Sequence, residues 1–124
     1  MSKGGMSRPG MKLPGAARVV VSEQKVRSYL LSRTHPSGRH KAVWLIAHGF
    51  APEGWSVLVE ALRLHAATNE VASDEESPFG RRYVVEGALV TPDGRNPLAR
   101  SVWFVETGHD TPQFVTLYPL RGRG

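Results

Sequence analysis

The chain lacks cysteine altogether over its 124 residues. This absence excludes disulfide bonds, thiolate metal sites and a cysteine nucleophile, and it is typical of a reducing compartment. The sequence also lacks an HExxH zinc motif. Any chemistry must therefore come from histidine, lysine, arginine, tyrosine and hydroxyl side chains.

Long apolar segments are missing as well. No run approaches the roughly 20 apolar residues of a membrane span, and residues 1–12 contain no hydrophobic signal core. The sequence therefore predicts no membrane association. It predicts a cytoplasmic location, or export by a route that needs no Sec-type signal.

Acidic residues are scarce in the first part of the chain. Residues 1–50 carry nine lysines and arginines against Glu23 as the single acid, whereas residues 51–90 carry three arginines against seven acids. A basic half of this kind attracts polyanions such as RNA, DNA or an acidic partner protein. The alternative is a solvated basic surface that has no specific ligand.

The length of the chain and its ordinary composition, with 40% hydrophobic and 22% charged residues, predict a single domain. Residues 1–14 are rich in glycine and basic side chains, which predicts a flexible basic arm. The domain is then expected over residues 15–120. Residues 121–124 contain two Arg-Gly dipeptides and predict a flexible tail.

The first half of the domain shows helical periodicity. Ser22 is typical of an N-cap for a helix over residues 23–32, and a break at residues 35–38 precedes a second helix that begins near Arg39. The spacing on this second helix predicts an apolar face made of Val43, Ile46, Ala47 and Phe50.

Pro52 can open a third helix that ends near residue 67. Its core-facing stripe is predicted to contain Trp55, Leu58, Val59, Leu62 and Ala66. His48 and His65 are expected at helix edges.

After residue 69 the apolar residues alternate, as they do in strands. Four strands are predicted over residues 70–76, 81–90, 99–106 and 113–118, with short turns between them. Because short links favour antiparallel pairing, the sequence predicts an α+β fold in which two or three N-terminal helices pack on a four-stranded antiparallel β-meander.

The segment at residues 34–49 is dense in groups that could act in catalysis. Cleavage of RNA by its own 2′-hydroxyl needs a base, a cation that stabilises the phosphorane charge, and an acid for the leaving oxygen. The candidate catalytic residues are His35, His40, Lys41, Thr116 and Tyr118, and the candidate phosphate or RNA contacts are Arg39, Arg82, Arg100 and Trp44.

Alternation in the last strand places Thr116 and Tyr118 on one face and Val115 and Leu117 on the other. If the aliphatic pair packs under the helices, the hydroxyl pair lies on the open face. The alternative is that both are ordinary strand-forming residues on a solvated surface. For Trp44, stacking on a base competes with packing at a helix edge.

A metal site is the competing interpretation of the histidines. His40 and His48 can share one helical face, and His35 is close in sequence, so two of them could reach one ion. Zinc usually takes three or four protein ligands at familiar spacings, and these spacings are missing here. The sequence therefore predicts no metal and no other cofactor.

Several segments resemble those of an uncharacterised bacterial domain family, in order, over residues 12–120. They are KLPGAARVVVSEQKVRSYLL, HPSGRHKA, RRYVVEGALVTPDGR, VWFVETG and FVTLYPL. The layout of a helix pair, an HP-G-HKA-like segment and a closing strand also resembles phage-associated and polymorphic-toxin members of the barnase, EndoU, colicin and RelE nuclease superfamily.

The second resemblance implies a small metal-independent endoribonuclease that acts as a toxin on RNA and is held in check by an immunity or antitoxin protein. It implies an active site on the open sheet face and the neighbouring helical segment. Transferred to matching positions, it favours His35, His40, Lys41, Thr116 and Tyr118, with Arg100 as a phosphate clamp. The alternative function is a non-enzymatic module that binds a partner protein or nucleic acid through its basic surface.

Overall fold

The computed structural model describes residues 11–120. Three helical elements come first along the chain, and a four-stranded sheet follows them. The sheet is antiparallel and its strands lie in sequence order, β1-β2-β3-β4. The predicted α+β class and the meander are therefore confirmed.

The first helix changes its winding part-way along. Helix α1 covers Glu23–Lys25 and continues without interruption as a π-helical segment over Val26–Leu30. Ser22 is the N-cap, since its Oγ accepts a hydrogen bond from the Lys25 backbone N–H at 3.2 Å. The Leu31 N–H donates to the Val26 carbonyl at 2.9 Å, which is the i to i+5 bond of a π-turn.

Helix α2 covers Arg39–Ala47, and its predicted apolar face is right at Ile46 and Phe50, which pack in or against the core, and wrong at the other two positions. The buried side chains of the helix are Ala42 and Leu45, whereas Val43 is 60% exposed and Ala47 is also exposed. The cause is a close backbone contact, because a Cβ atom at Gly38 would clash with the Tyr29 carbonyl oxygen. The close contact between Gly38 and the Tyr29 backbone turns the small side chain of Ala42 toward the first helix.

Helix α3 covers Trp55–Thr68 and is preceded by a short 3-10 turn over Pro52–Gly54. Leu58, Leu62 and Ala66 are completely buried, and Val59 is nearly so. The predicted stripe is therefore confirmed, and it covers one face of the sheet.

The strands are β1 Val71–Ser77, β2 Gly80–Ala88, β3 Leu98–Glu106 and β4 Gln113–Pro119. These bounds lie within two residues of the predicted strands at each end. Ser77 pairs with Gly80, so the link between β1 and β2 is the two-residue turn at positions 78–79. A bulge interrupts the pairing of β3 with β4, since Val102 pairs with Thr116 while Trp103 pairs with Phe114.

N-terminal segments join both edges of the sheet. Lys12 forms an antiparallel bridge with Glu70, just before β1, and Val20 forms a parallel bridge with Gln113 at the start of β4. Such contacts cover part of the backbone that an edge strand would otherwise expose.

The packed chain begins earlier than predicted. Leu13 is 2% exposed, and the Met11 carbonyl accepts a hydrogen bond from the Val71 N–H at 2.8 Å. Residues 11–14 therefore belong to the folded unit and not to a flexible arm, because an apolar side chain and a sheet edge hold them. The rest of the predicted arm, residues 1–10, and the predicted tail, residues 121–124, lie outside the described residues.

The core lies between α3 and the sheet and includes the completely buried Trp103. His65 belongs to this core, being 1% exposed, so its predicted place at a helix edge is wrong. Its ring is accommodated because both nitrogens find partners: Nδ1 meets Ser101 Oγ at 2.8 Å, and Nε2 lies 3.1 Å from the carbonyls of Gly87 and Ala99.

Candidate functional site

A lysine, a phenol and a threonine hydroxyl meet where the helices join the last strand. Lys41 Nζ donates to Tyr29 Oη at 2.6 Å and to Thr116 Oγ1 at 2.9 Å. The two hydroxyl oxygens lie 3.2 Å apart and share a third hydrogen bond. The same Nζ lies 4.3 Å from the centre of the Tyr118 ring, within cation–π range. We call these four residues, Tyr29, Lys41, Thr116 and Tyr118, the lysine cluster.

Helix α2 positions Lys41 at the border of its buried face. Ala42 next to it is completely buried, so the lysine stem is held between the first helix and β4 while its head stays half-buried. A lysine in such a place packs its methylene groups and leaves the ammonium available for hydrogen bonds.

The bulge in β4 decides which face carries the hydroxyl groups. Phe114 and Leu117 are both buried in the core, although strict alternation would place them on opposite faces. The extra residue between Phe114 and Thr116 resets the alternation. Thr116 and Tyr118 consequently lie together on the face away from the core, with Thr116 covered by the cluster at 7% exposure and Tyr118 39% exposed.

The environment of Tyr29 stabilises its phenolate form. Burial raises the pKa of Tyr29, but hydrogen bonds from Lys41 and Thr116, together with the charges of Lys41 and Lys25, outweigh burial and bring the pKa below its ordinary value of 10.0. Lys25 adds a further contact, since its Nζ donates to the carbonyl of Val115 at the bulge at 3.0 Å. Two ammonium groups therefore flank one phenol.

His35 lies beside the cluster, with its ring edge-on to Tyr29 at a centroid distance of 5.0 Å. Its Nδ1 accepts the backbone N–H groups of Ser37 and Gly38 at 3.0 and 3.1 Å. The neutral ring must then carry its hydrogen on Nε2. His35 thus caps the turn that leads into α2 and offers Nε2–H as a donor.

A shallow pocket of about 430 Å³ opens next to the cluster. The residues that line it are Ser22, Gln24, Lys25, Ser28, Tyr29 and His35. Its walls combine two rings, one cation and several hydroxyl or amide groups, which are the side chains that can contact a base and its phosphate.

Two candidates from the start of α2 are exposed. Within residues 11–120 the side chains of Arg39 and His40 form no hydrogen bond or ion pair, and neither side chain contacts the lysine cluster through such a bond. Trp44 is half-buried and packs against His48, with ring centroids 4.9 Å apart. The packing alternative for Trp44 is therefore the one that the structure shows.

Arg100 stands directly opposite Tyr118 on the neighbouring strand, so both side chains leave the sheet on the same face. Its guanidinium donates to Glu86 at 2.8 Å. Arg82 lies on that face too, but on β2 and opposite Phe104, away from the cluster. Of the candidate arginines, Arg100 is thus the one that borders the cluster.

Sequence reasoning missed Tyr29 and Lys25. The π-turn over Val26–Leu30 that directs Tyr29 to Lys41 has no sequence signature. The usable signal was the spacing of Lys25 and Tyr29, four apart on one helix, which places them side by side.

Within the 110 residues from 11 to 120, histidine and carboxylate side chains nowhere form a group of three or more that could hold a metal ion. In the same part of the chain, no helix is long and apolar enough to cross a bilayer.

Residues 12–121 match the model of a family described as a domain of unknown function, DUF6883. The chain belongs to this family. The resemblance to an uncharacterised domain family is thereby confirmed, over nearly the same residues. A search of the curated proteins found no match to this DUF6883 member.

Among solved structures, the DUF6883 chain is similar to one from a contact-dependent growth inhibition toxin–immunity protein complex from Klebsiella pneumoniae 342. The TM-score is 0.66 at 20% sequence identity, and the likeness covers 82% of this chain and 99% of that chain. At this identity the comparison establishes a shared fold.

Proposed function

We propose that this protein is a toxin-type endoribonuclease that cleaves RNA without a metal ion, by attack of the ribose 2′-hydroxyl on the adjacent phosphate. The observation that carries the proposal is the lysine cluster, in which one ammonium reaches two hydroxyl oxygens at 2.6 and 2.9 Å beside an open pocket. The resemblance to the barnase, EndoU, colicin and RelE superfamily and the fold shared with a chain of a toxin–immunity complex support it.

In this mechanism Lys41 stabilises the negative charge that develops on the phosphorane, and Thr116 donates to a non-bridging oxygen. Tyr118 holds the ammonium through its ring and can stack on a neighbouring base. A phosphate group entering the cluster would replace part of the internal hydrogen bonding of Lys41, so the half-buried ammonium is ready for an anion before substrate arrives.

His40 and His35 have different roles in the proposed mechanism. His40, exposed in the first turn of α2, is the candidate base that accepts the 2′-hydroxyl proton. His35 is less suited to proton transfer, because two backbone N–H groups occupy its Nδ1. We assign it to the turn that carries Lys41 and to a hydrogen bond from Nε2–H to substrate.

The proposed partner is an immunity or antitoxin protein that covers the cluster. Because the first 50 residues carry nine basic side chains and one acid, an acidic protein surface is the chemistry that fits.

The test is incubation of the purified protein with total RNA in the presence of EDTA, followed by analysis of the new ends. Fragments with 2′,3′-cyclic phosphate and 5′-hydroxyl ends are expected. Lys41→Ala should reduce the rate by roughly 10²–10³-fold, the usual effect of removing one group that stabilises transition-state charge.

The control is Lys12→Ala, which removes an exposed lysine at the opposite edge of the sheet and should leave cleavage unchanged. Intact RNA at micromolar protein would overturn the proposal. Salt-sensitive RNA binding without cleavage would instead support the alternative of a binding module.

A further inference from the structure

Tyr29 is the member of the lysine cluster that the sequence did not single out, and its hydrogen bonds are arranged asymmetrically. A phenol has one hydrogen to donate and two lone pairs that accept. Lys41 Nζ occupies one lone pair at 2.6 Å, and Thr116 Oγ1, at 3.2 Å, can occupy the other. Because either hydroxyl can be the donor in the bond between Tyr29 and Thr116, the phenolic hydrogen can turn to another acceptor.

Tyr29 also lines the open pocket, together with Lys25 and His35. Lys25 lies 5.9 Å and Lys41 5.0 Å from the centre of the Tyr29 ring. An anionic oxygen in the pocket would therefore meet a hydroxyl donor that stands between two cations.

The fold holds Tyr29 from two sides. The π-turn over Val26–Leu30 sets the direction of the ring, and Gly38 presses against the Tyr29 backbone so closely that it leaves no room for a Cβ atom. A side chain held in this way keeps its geometry when substrate binds, which is what a proton donor needs.

On these grounds, and resting on the proposed ribonuclease function, we infer that Tyr29 is the catalytic acid that protonates the leaving 5′-oxygen. The 2′-oxygen forms a bond to phosphorus while its proton passes to the general base. The bond from phosphorus to the 5′-oxygen breaks, and that oxygen takes the proton of Tyr29 Oη. Solvent then carries the proton from that base back to the Tyr29 phenolate, so the reaction consumes no net proton.

The cluster is suited to the phenolate that this step produces. Lys41 directs a donor at Tyr29 Oη, and this hydrogen bond, the one shared with Thr116 and the two lysine charges outweigh burial and lower the pKa of Tyr29. The groups that face the ring are Lys25 on its own helix, His35 on the following loop, Lys41 on α2, and Thr116 on β4. Cleavage should consequently fall as the pH rises through the lowered pKa of Tyr29.

The decisive experiment compares two substrates that differ in the leaving group. A ribodinucleotide has a poor leaving group that needs an acid, whereas a uridine 3′-(4-nitrophenyl phosphate) has a leaving group that departs without one. Tyr29→Phe should slow cleavage of the dinucleotide by roughly 10²–10⁴-fold, the usual contribution of general acid catalysis, and should leave the aryl ester nearly unaffected. Equal losses on both substrates, or no loss on the dinucleotide, would overturn the inference.

The matched control is Tyr83→Phe, which also removes one phenolic oxygen but does so at a buried position on β2. It should leave both rates close to those of the unmodified protein, and thermal unfolding of each variant checks that the fold persists.

A second arm separates this inference from the proposed function. The protein has three tyrosines, so the ¹³Cζ signal of Tyr29 can be assigned by substitution and followed while inorganic phosphate is added. A shift that saturates and disappears in Lys41→Ala supports placing Tyr29 at a bound phosphate even if RNA is not cleaved. RNA cleavage by the unmodified protein with no response of Tyr29 to phosphate, and no loss in Tyr29→Phe, would retain the ribonuclease and reject Tyr29 as its acid.

Discussion

At the scale of single residues, the buried polar network around His65 has a consequence for stability. Trp103 Nε1 donates to Ser101 Oγ at 2.8 Å, and the Ser101 hydroxyl can donate to His65 Nδ1. His65 Nε2–H then faces the carbonyls of Gly87 and Ala99. All donors are used in the neutral form of the ring, so a second proton on Nδ1 would deprive the Ser101 hydroxyl hydrogen of its acceptor.

Stability should therefore depend on pH below about 6.5. Burial lowers the pKa of His65 from 6.5, despite the two carbonyls that raise it, so the unfolded state takes up a proton first as the pH falls. Above pH 6.5 His65 adds no pH dependence to the free energy of unfolding. Between pH 6.5 and the lower folded pKa, the free energy of unfolding should decrease by up to about 1.4 kcal/mol per pH unit.

Urea denaturation at several pH values between 5 and 7 measures this slope. The variant His65→Gln has no titrating ring, so its free energy of unfolding should depend less steeply on pH in that range. This holds even if the variant is less stable at neutral pH. An unchanged slope in the variant would assign the dependence to other groups.

Single residues also show what the sequence could reveal about the site. Lys41, Thr116 and Tyr118 were candidates from chemistry and alternation, and the structure brings these three together, while their roles stay a prediction. Arg39 and His40 were candidates on the same grounds and lie outside the cluster. Residue type identifies groups that can act, but proximity depends on tertiary packing that a local pattern does not contain.

At the scale of elements, the contact between α2 and the first helix controls the position of Lys41. Gly38→Ala would place a methyl group against the Tyr29 carbonyl, so one helix must move. We expect a loss of roughly 1–3 kcal/mol in the free energy of unfolding, as for other overpacked sites, together with reduced RNA cleavage.

Gly54→Ala is the control for this change, since the nearest atom to its added Cβ is a Val57 methyl at 3.9 Å. Denaturant unfolding should place it within about 0.5 kcal/mol of the unmodified protein. Equal stability of the Gly38 and Gly54 variants would show that the two helices can separate freely.

The start of the first helix offers a second test at this scale. Ser22→Ala removes the oxygen that accepts the Lys25 N–H, and loss of such a cap costs about 1 kcal/mol. Ser56→Ala, at an exposed position in the first turn of α3, should cost nothing measurable by comparison. Chemical denaturation of both variants checks the difference, and a similar effect of both would argue against the cap.

Elements also show where the sequence pattern succeeds and fails. Alternation and turn signals located four strands within two residues, because β2, β3 and β4 bury alternate side chains and short turns separate the strands. The face of α2 was misjudged because Gly38 and Ala42 are buried by close backbone packing and not by hydrophobic size. The π-turn and the bulge in β4 each insert one residue into a regular period. A periodic sequence pattern does not predict where such an insertion occurs.

At the scale of the whole molecule, charge separation should govern binding to nucleic acid. A DNA oligonucleotide lacks the 2′-hydroxyl and cannot be cleaved by the proposed route, so its binding can be measured alone. The logarithm of its affinity should fall linearly with the logarithm of salt concentration, and Lys41→Ala should reduce the slope by about 0.7 for single strands if one phosphate contact is lost. Fluorescence anisotropy at several salt concentrations provides the measurement, and a slope near zero would exclude polyanion binding by the basic first half of the chain.

The lysine cluster joins residues that are far apart in the sequence, so the ribosome synthesises them at different times. Lys41 and Thr116 are separated by 75 positions, and Tyr29 and Thr116 by 87. A growing chain therefore has no complete site until its last strand has emerged and folded. We expect two fragments divided in the link between β2 and β3 to be harmless when made separately in a bacterial host, and any toxicity to return when both are made together. The producing cell would therefore meet no complete site during the whole period of translation.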